Sequence, residues 1–168
     1  MQKDRKNEEN TITGYKKEWR NGNMKKVTVI YWSGTGNTKQ MAQAVAEGAA
    51  LGGISIKLIS VDKASKEDVL TSDAVALGCS AMGNEVLEES EMEPFISSLE
   101  GENLSAIPLV LFGSYDWGDG EWMRDWVERM EEQGAKMAGE ALIIQNAPDE
   151  AGLAQCRELG AKLASSIA

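Results

Sequence analysis

The sequence predicts one α/β domain built on a five-stranded parallel sheet with helices on both faces, and three observations carry that expectation. Five short apolar runs alternate with segments of helical periodicity along the chain. The first run, Val27–Trp32 (VTVIYW), shows almost no alternation of apolar and polar residues, as strands buried on both faces do. A chain of 168 residues, 42% of them hydrophobic, is long enough to bury one sizeable core. Parallel strands need crossover connections, and right-handed crossovers set the intervening helices on the faces of the sheet.

After the first strand, Thr38–Leu51 reads as a helix with Met41, Ala44, Val45 and Ala49 on its apolar side, ended by Gly52-Gly53. Ile54–Ser60 alternates Ile54, Ile56 and Leu58 against polar residues and reads as a strand nearer the sheet edge. A short helix is expected over Ser65–Leu70. Ala74–Gly78, Ile107–Gly113 and Ala141–Ile144 supply the remaining strands, and Met92–Leu99, Glu121–Gln133 and Glu150–Ala168 the remaining helices. Trp122 and Trp126, four apart on one helix, and Trp32 at the end of the first strand are expected in the core.

Residues 1–23 differ in kind. They hold Lys3, Arg5, Lys6, Lys16, Lys17 and Arg20 against four acidic residues, are rich in Asn and follow neither apolar period, so a disordered or loosely attached extension is expected. Trp19-Arg20 can be encoded as TGG-AGG, which places a GGAGG ribosome-binding sequence three codons before Met24. Residues 1–23 are therefore expected to be untranslated leader and Met24 the native start; a genuine basic tail is the competing reading. The domain is assigned to residues 24–168.

Composition excludes several chemistries. Without a single His there is no Ser-His-Asp or Cys-His pair, no His-bearing zinc site and no imidazole switch near neutral pH. The net charge of -10, which becomes -12 without the first 23 residues, opposes nucleic acid and anionic membranes and attracts basic protein partners. Cys79 and Cys156 lack CxxC spacing and read as small buried hydrophobes in a reducing compartment. No apolar run suits a membrane span or signal core, which points to the cytoplasm, with a monomer as the default.

In open parallel sheets ligands bind beyond the carboxyl ends of the strands, so three loops matter. After the first strand, Ser33-Gly34-Thr35-Gly36-Asn37-Thr38 opens directly into a helix. Its glycines, hydroxyls and helix N-terminus form a phosphate cradle. The loop is neither a Walker loop nor a dinucleotide fingerprint, because Lys39 stands where the third Gly belongs, and it suits a terminal monophosphate. After the third strand comes Cys79-Ser80-Ala81-Met82-Gly83-Asn84-Glu85; after the fourth, Gly113-Ser114-Tyr115-Asp116-Trp117-Gly118-Asp119-Gly120. An indole among glycines reads as a stacking surface for an aromatic ligand.

YWSGTGNT, GCSAMGNEVLEESEMEPF and LFGSYDWGDGEWM resemble the phosphate loop and the two ring-contacting loops of flavodoxins of the short-chain clostridial type, and the resemblance covers Met24–Ala168. It implies a flavodoxin-like three-layer sandwich of strand order 2-1-3-4-5 and noncovalent FMN at the switch point between strands one and three. It also implies a low-potential one-electron carrier, not an enzyme, that works through a stabilised semiquinone between basic redox partners. On that resemblance Ser33, Gly34, Thr35, Gly36, Asn37 and Thr38 hold the phosphate without a required cation. Met82 covers the inner ring face and Trp117 the outer one, with Ser80, Ala81, Ser114, Tyr115, Asp116 and Gly118 close by. Glu85 accepts from the ring N3–H, and the Gly83–Asn84 peptide addresses N5.

Gly83 agrees with that assignment, because Gly at the first central position of a Met82–Glu85 turn permits type II′ and lets the peptide flip toward a protonated N5. Glu85, Glu88, Glu89, Glu91 and Glu93, with Asp116, Asp119 and Glu121, oppose a reduced anionic ring and lower its potential. Asp116 stands where relatives of this type commonly carry Gly, and a positive φ there is a question for the structure. The alternative is an NAD(P)H-dependent quinone or flavin reductase of the same fold. A response-regulator receiver is disfavoured, because Ser33-Gly34 and Cys79-Ser80 replace its acidic residues.

Overall fold

The computed structural model describes residues 24–51 and 53–168. The expectation for residues 1–23, and Gly52 of the expected helix stop, lie outside the described residues. In chain order the elements are β1 (Lys25–Trp32), α1 (Asn37–Ala49), β2 (Ile54–Ser60), α2 (Lys66–Leu70), β3 (Ala74–Cys79), α3 (Met92–Ser98), β4 (Pro108–Tyr115), α4 (Glu121–Glu132), β5 (Lys136–Met137), β6 (Leu142–Gln145) and α5 (Glu150–Ser165). All strand pairs are parallel and the order is β2-β1-β3-β4-β5, with β6 also on β4. The α/β flavodoxin-like architecture expected from the sequence is the one observed.

The fifth sheet position departs from expectation. It is shared by two short strands, β5 beside Pro108–Leu109 and β6 beside Phe112–Tyr115. Between the two registers, residues 138–141 face only Val110 and Leu111, so the chain bulges outward at Gly139-Glu140. Lys136–Met137 is too short to leave a readable apolar run, and the expected strand begins only after the bulge.

β1, β3 and β4 alternate their side chains between two cores. On one face Val27, Val29, Ala76, Val110 and Phe112 pack against α1 and α5. On the other Ile30, Val75, Leu77, Leu109 and Leu111 pack against α2, α3 and α4. Trp122 and Trp126 are each 1% exposed, as their spacing predicts. α1 and α5 approach so closely that a Cβ on Gly48 or Gly160 would collide with backbone of the opposite helix. α2, expected from Ser65, starts with a capping box in which Asp68 returns to the Ser65 N–H at 2.8 Å.

These layers bring the carboxyl ends of β1, β3 and β4, and the loops that follow them, to one edge of the sheet.

Candidate functional site

A crevice of about 400 Å³ opens at that edge, within the range of small-molecule sites. Gly34, Thr35, Asn37, Ser80, Ala81, Met82, Ser114, Tyr115 and Asp116, all expected at the site, line it. Trp32 and Asn146 line it as well, unforeseen. Trp32 was expected in the core; it leans on the core with one side and faces the crevice with the other, its ring beside Gly34. Asn146 follows β6, has φ +60 and donates its N–H to the Tyr115 carbonyl at 2.8 Å. An Asn at the carboxyl end of a strand is the signal that marks it, since Asn is among the non-glycine residues that best tolerate such a backbone.

The end formed by the loop after β1 is tied by neutral hydroxyls. Thr38 is fully buried, and its Oγ1 lies 2.7 Å from Ser80 Oγ and 2.9 Å from Ser114 Oγ. The two serine hydroxyls are 3.2 Å apart, and the Ser114 N–H donates to Thr38 Oγ1 at 3.3 Å. Thr38 therefore sits beneath the crevice and joins the ends of three elements. Ser33 Oγ accepts the Gly36 N–H at 3.1 Å, which folds the loop onto itself. α1 then begins at Gly36, φ +100, with no side-chain cap and no acidic residue in its first turn. Apart from the Gly36 N–H held by Ser33, the start of α1 carries its partial positive charge with no acidic side chain to offset it, which suits an anion.

The other end is tied by carboxylates. Glu85, 8% exposed, accepts the N–H groups of Asp119 and Gly120 through Oε1, both at 3.0 Å. It thereby places a carboxylate at the N-cap of α4 and locks the loop after β3 to the loop after β4. Gly118 makes room for it: its φ is +91, and a Cβ there would collide with the Glu85 carboxylate. Glu88, 7% exposed, accepts from the N–H groups of Ser90 (2.7 Å), Glu91 (2.8 Å) and Met92 (3.0 Å) where α3 begins. Burial pushes its carboxyl upward, but the three backbone N–H donors outweigh burial and hold it below the usual carboxylate range. The acidic run after β3 is thus not simply a solvated face, since Glu85 and Glu88 point inward. Arg124 donates to the Asp119 carboxylate at 2.9 Å and holds it below its ordinary range.

Between these anchors the loop after β3 forms a small hairpin in which Met82 and Val86 exchange both backbone hydrogen bonds at 2.9 Å. Gly83 has φ +51, the left-handed sign expected of it, but the loop closes at Val86 rather than Glu85, because Glu85 itself is left-handed at φ +53. Met82 is 37% exposed and Trp117 60%; Trp117 stands outside the crevice lining with Gly83, Asn84 and Gly118. Asp116 does not adopt a positive φ, and its carbonyl instead accepts from Gln145 Nε2 at 3.0 Å. Burial pushes the Cys79 thiol up to about 12 and the Cys156 thiol up to about 11, so both are inert. No cluster of metal-ligating side chains occurs among the described residues.

The sequence profile of the family described as flavodoxin matches residues 29–160. A flavodoxin of Clostridium beijerinckii is 48% identical over 137 residues, covering 82% of this chain and 98% of its own. The chain belongs to the flavodoxin family. A second flavodoxin, of Megasphaera elsdenii, is 42% identical over 134 residues, 80% of this chain and 95% of that one. The solution structure of two-electron reduced Megasphaera elsdenii flavodoxin superposes with a TM-score of 0.74 at 40% identity, covering 83% of this chain and 98% of that one.

The flavodoxin is of the short-chain type, an electron-transfer protein rather than an enzyme, and its cofactor is FMN. The residues fit that group: an uncapped helix N-terminus and the Thr35 hydroxyl suit a phosphate, and Trp32, Ala81, Met82 and Tyr115 offer apolar walls to a flat ring.

Proposed function

We propose that this flavodoxin carries electrons one at a time between low-potential partner proteins. The observation that carries the reading is a helix N-terminus left open at one end of a crevice whose other end is walled by aromatic and thioether side chains. FMN supplies the redox chemistry, because its ring accepts two electrons in separate steps. The chain's residues decide how that ring is held. Gly34, Thr35, Gly36 and Asn37 are assigned to the phosphate, with Ser33 and Thr38 shaping the cradle from within. Met82 and Trp117 are assigned to the two ring faces; their exposure leaves them free to close on a flat group.

Glu85 is assigned to the ring N3–H through Oε2, since Oε1 already serves Asp119 and Gly120. The Gly83–Asn84 peptide is assigned to N5. A Cβ on Gly83 would meet nothing within 4 Å, so the constraint there is backbone sign alone. A peptide free to turn can offer its N–H or its carbonyl as the protonation of N5 requires. The acidic residues around the crevice oppose added negative charge and favour basic partners. No helix among the described residues is long and apolar enough to cross a membrane, and two buried free thiols suit a reducing cytoplasm, with a monomer as the default assembly.

Anaerobic reductive titration of the FMN-loaded protein tests the reading. A long-wavelength band that rises and then decays is expected, and in Gly83→Ala its yield falls while the protein loses about 1–2 kcal/mol from left-handed strain. Bleaching in one step, or steady NAD(P)H consumption by the protein alone, would mark a two-electron reductase instead.

A further inference from the structure

A groove of about 650 Å³ runs along the outer side of α4, larger than the cofactor crevice and sharing no lining residue with it. Its floor is apolar: Met123 and Val127, one helical turn apart, face Ala141 and Ile143 across the bulge between β5 and β6. Its rim is acidic, formed by Glu128, Glu131 and Glu132. The one basic rim residue, Arg124, is already committed to Asp119, whose carboxylate and carbonyl it reaches at 2.9 and 3.0 Å.

We propose that this groove docks a basic, apolar-faced helical segment of a partner protein. The charge on the rim selects the occupant. A second copy would bring its own Glu128, Glu131 and Glu132 against a domain already carrying -12, whereas a segment with Lys or Arg flanking an apolar stripe meets both floor and rim. The groove runs from Gly120 to Glu132, about 18 Å at the helical rise, which a docked helix of about 12 residues spans. At its upper end lies Gly120, whose N–H holds Glu85, so the docked segment abuts the loop that carries Trp117. The proposal does not depend on how FMN is bound.

The test uses the FMN-loaded full chain and a fluorescent helical peptide of about 12 residues with Leu on one face and Lys on the other, followed by anisotropy. Val127→Asn and the double variant Glu131→Lys/Glu132→Lys are each expected to weaken binding about tenfold with the flavin spectrum unchanged. The control Glu67→Lys/Glu158→Lys changes net charge equally at exposed sites elsewhere and is expected to change affinity less than about twofold. Equal weakening in the control would reduce the effect to net charge and overturn the proposal. So would unchanged binding in the groove variants, or a sedimenting dimer that Val127→Asn dissociates, which would give the groove to a second copy.

Discussion

Two helices begin beside the crevice on a left-handed glycine, α1 at Gly36 (φ +100) and α4 at Gly120 (φ +95), and neither glycine has a side chain with which to cap its own helix. The solutions differ. At α4 a carboxylate from another loop, Glu85, takes the N–H groups of Asp119 and Gly120. At α1 the corresponding N–H, that of Gly36, goes to the neutral hydroxyl of Ser33, and further hydroxyls lock the first turn from behind through Thr38, so no acidic side chain sits at the start. The same local device therefore serves two ends: given the protein's own anion it fixes the loops after β3 and β4, and left without an anionic partner it suits the proposed phosphate. α3 repeats the closed solution with Glu88.

Gly118→Ala strikes the closed start hardest. The new Cβ would occupy the space of the Glu85 carboxylate on a backbone at φ +91. Left-handed strain of about 1–2 kcal/mol adds to the loss of charge-assisted hydrogen bonds, and a total near 4 kcal/mol is expected in urea unfolding of the apoprotein. Gly36→Ala has the same sign of φ but meets nothing within 4 Å, so it should cost only about 1–2 kcal/mol. Equal losses in the two variants would mean that Glu85 does not hold α4 and would break the comparison.

That contrast also marks how far the sequence could be read. The open start was legible because its determinants are local: Ser33–Thr38 combines glycines, hydroxyls and a helix onset in six consecutive residues. The closed start was not, because the anion of α4 comes from 35 residues upstream and its space is made by Gly118, a relation no local pattern displays. The two cores and the buried Trp122 and Trp126 followed from periodicity, and the strand order from the family resemblance. The split of the fifth strand did not, since a bulge at Gly139-Glu140 is set by pairing with β4. Trp32 packs on the core as its position predicts, but its crevice face was not legible, because a residue at a strand end can face core and crevice together.

Thr38→Val removes the hydroxyl behind the open start while keeping the shape of the side chain. Ser80 and Ser114 lose a shared partner and the Ser114 N–H loses its acceptor in a buried setting. A loss of about 2 kcal/mol is expected. Because no member of this cluster ionises near neutral pH, the loss should be the same at acid and neutral pH. A strongly pH-dependent loss would show that the open start is held by charge after all.

Glu88→Gln probes the opposite property, and its effect is the smallest, about 1 kcal/mol in urea unfolding at neutral pH. The amide keeps one acceptor oxygen where the carboxylate offers two to Ser90, Glu91 and Met92, and it gives up the charge at the start of α3. Its sign with pH is fixed by the depressed folded-state pKa of Glu88. Above the unfolded value, about 4.3 for Glu, both states are ionised and the full contribution is present. As pH falls below that value the unfolded chain takes up a proton first, so stability drains away until the folded carboxyl is protonated too. The gap between Glu88→Gln and the unsubstituted protein should therefore be constant at neutral pH and close as the pH falls below about 4.3. A gap that persists at low pH would assign the role of Glu88 to shape rather than charge, leaving Glu85 as the carboxylate whose charge closes a helix start at this edge.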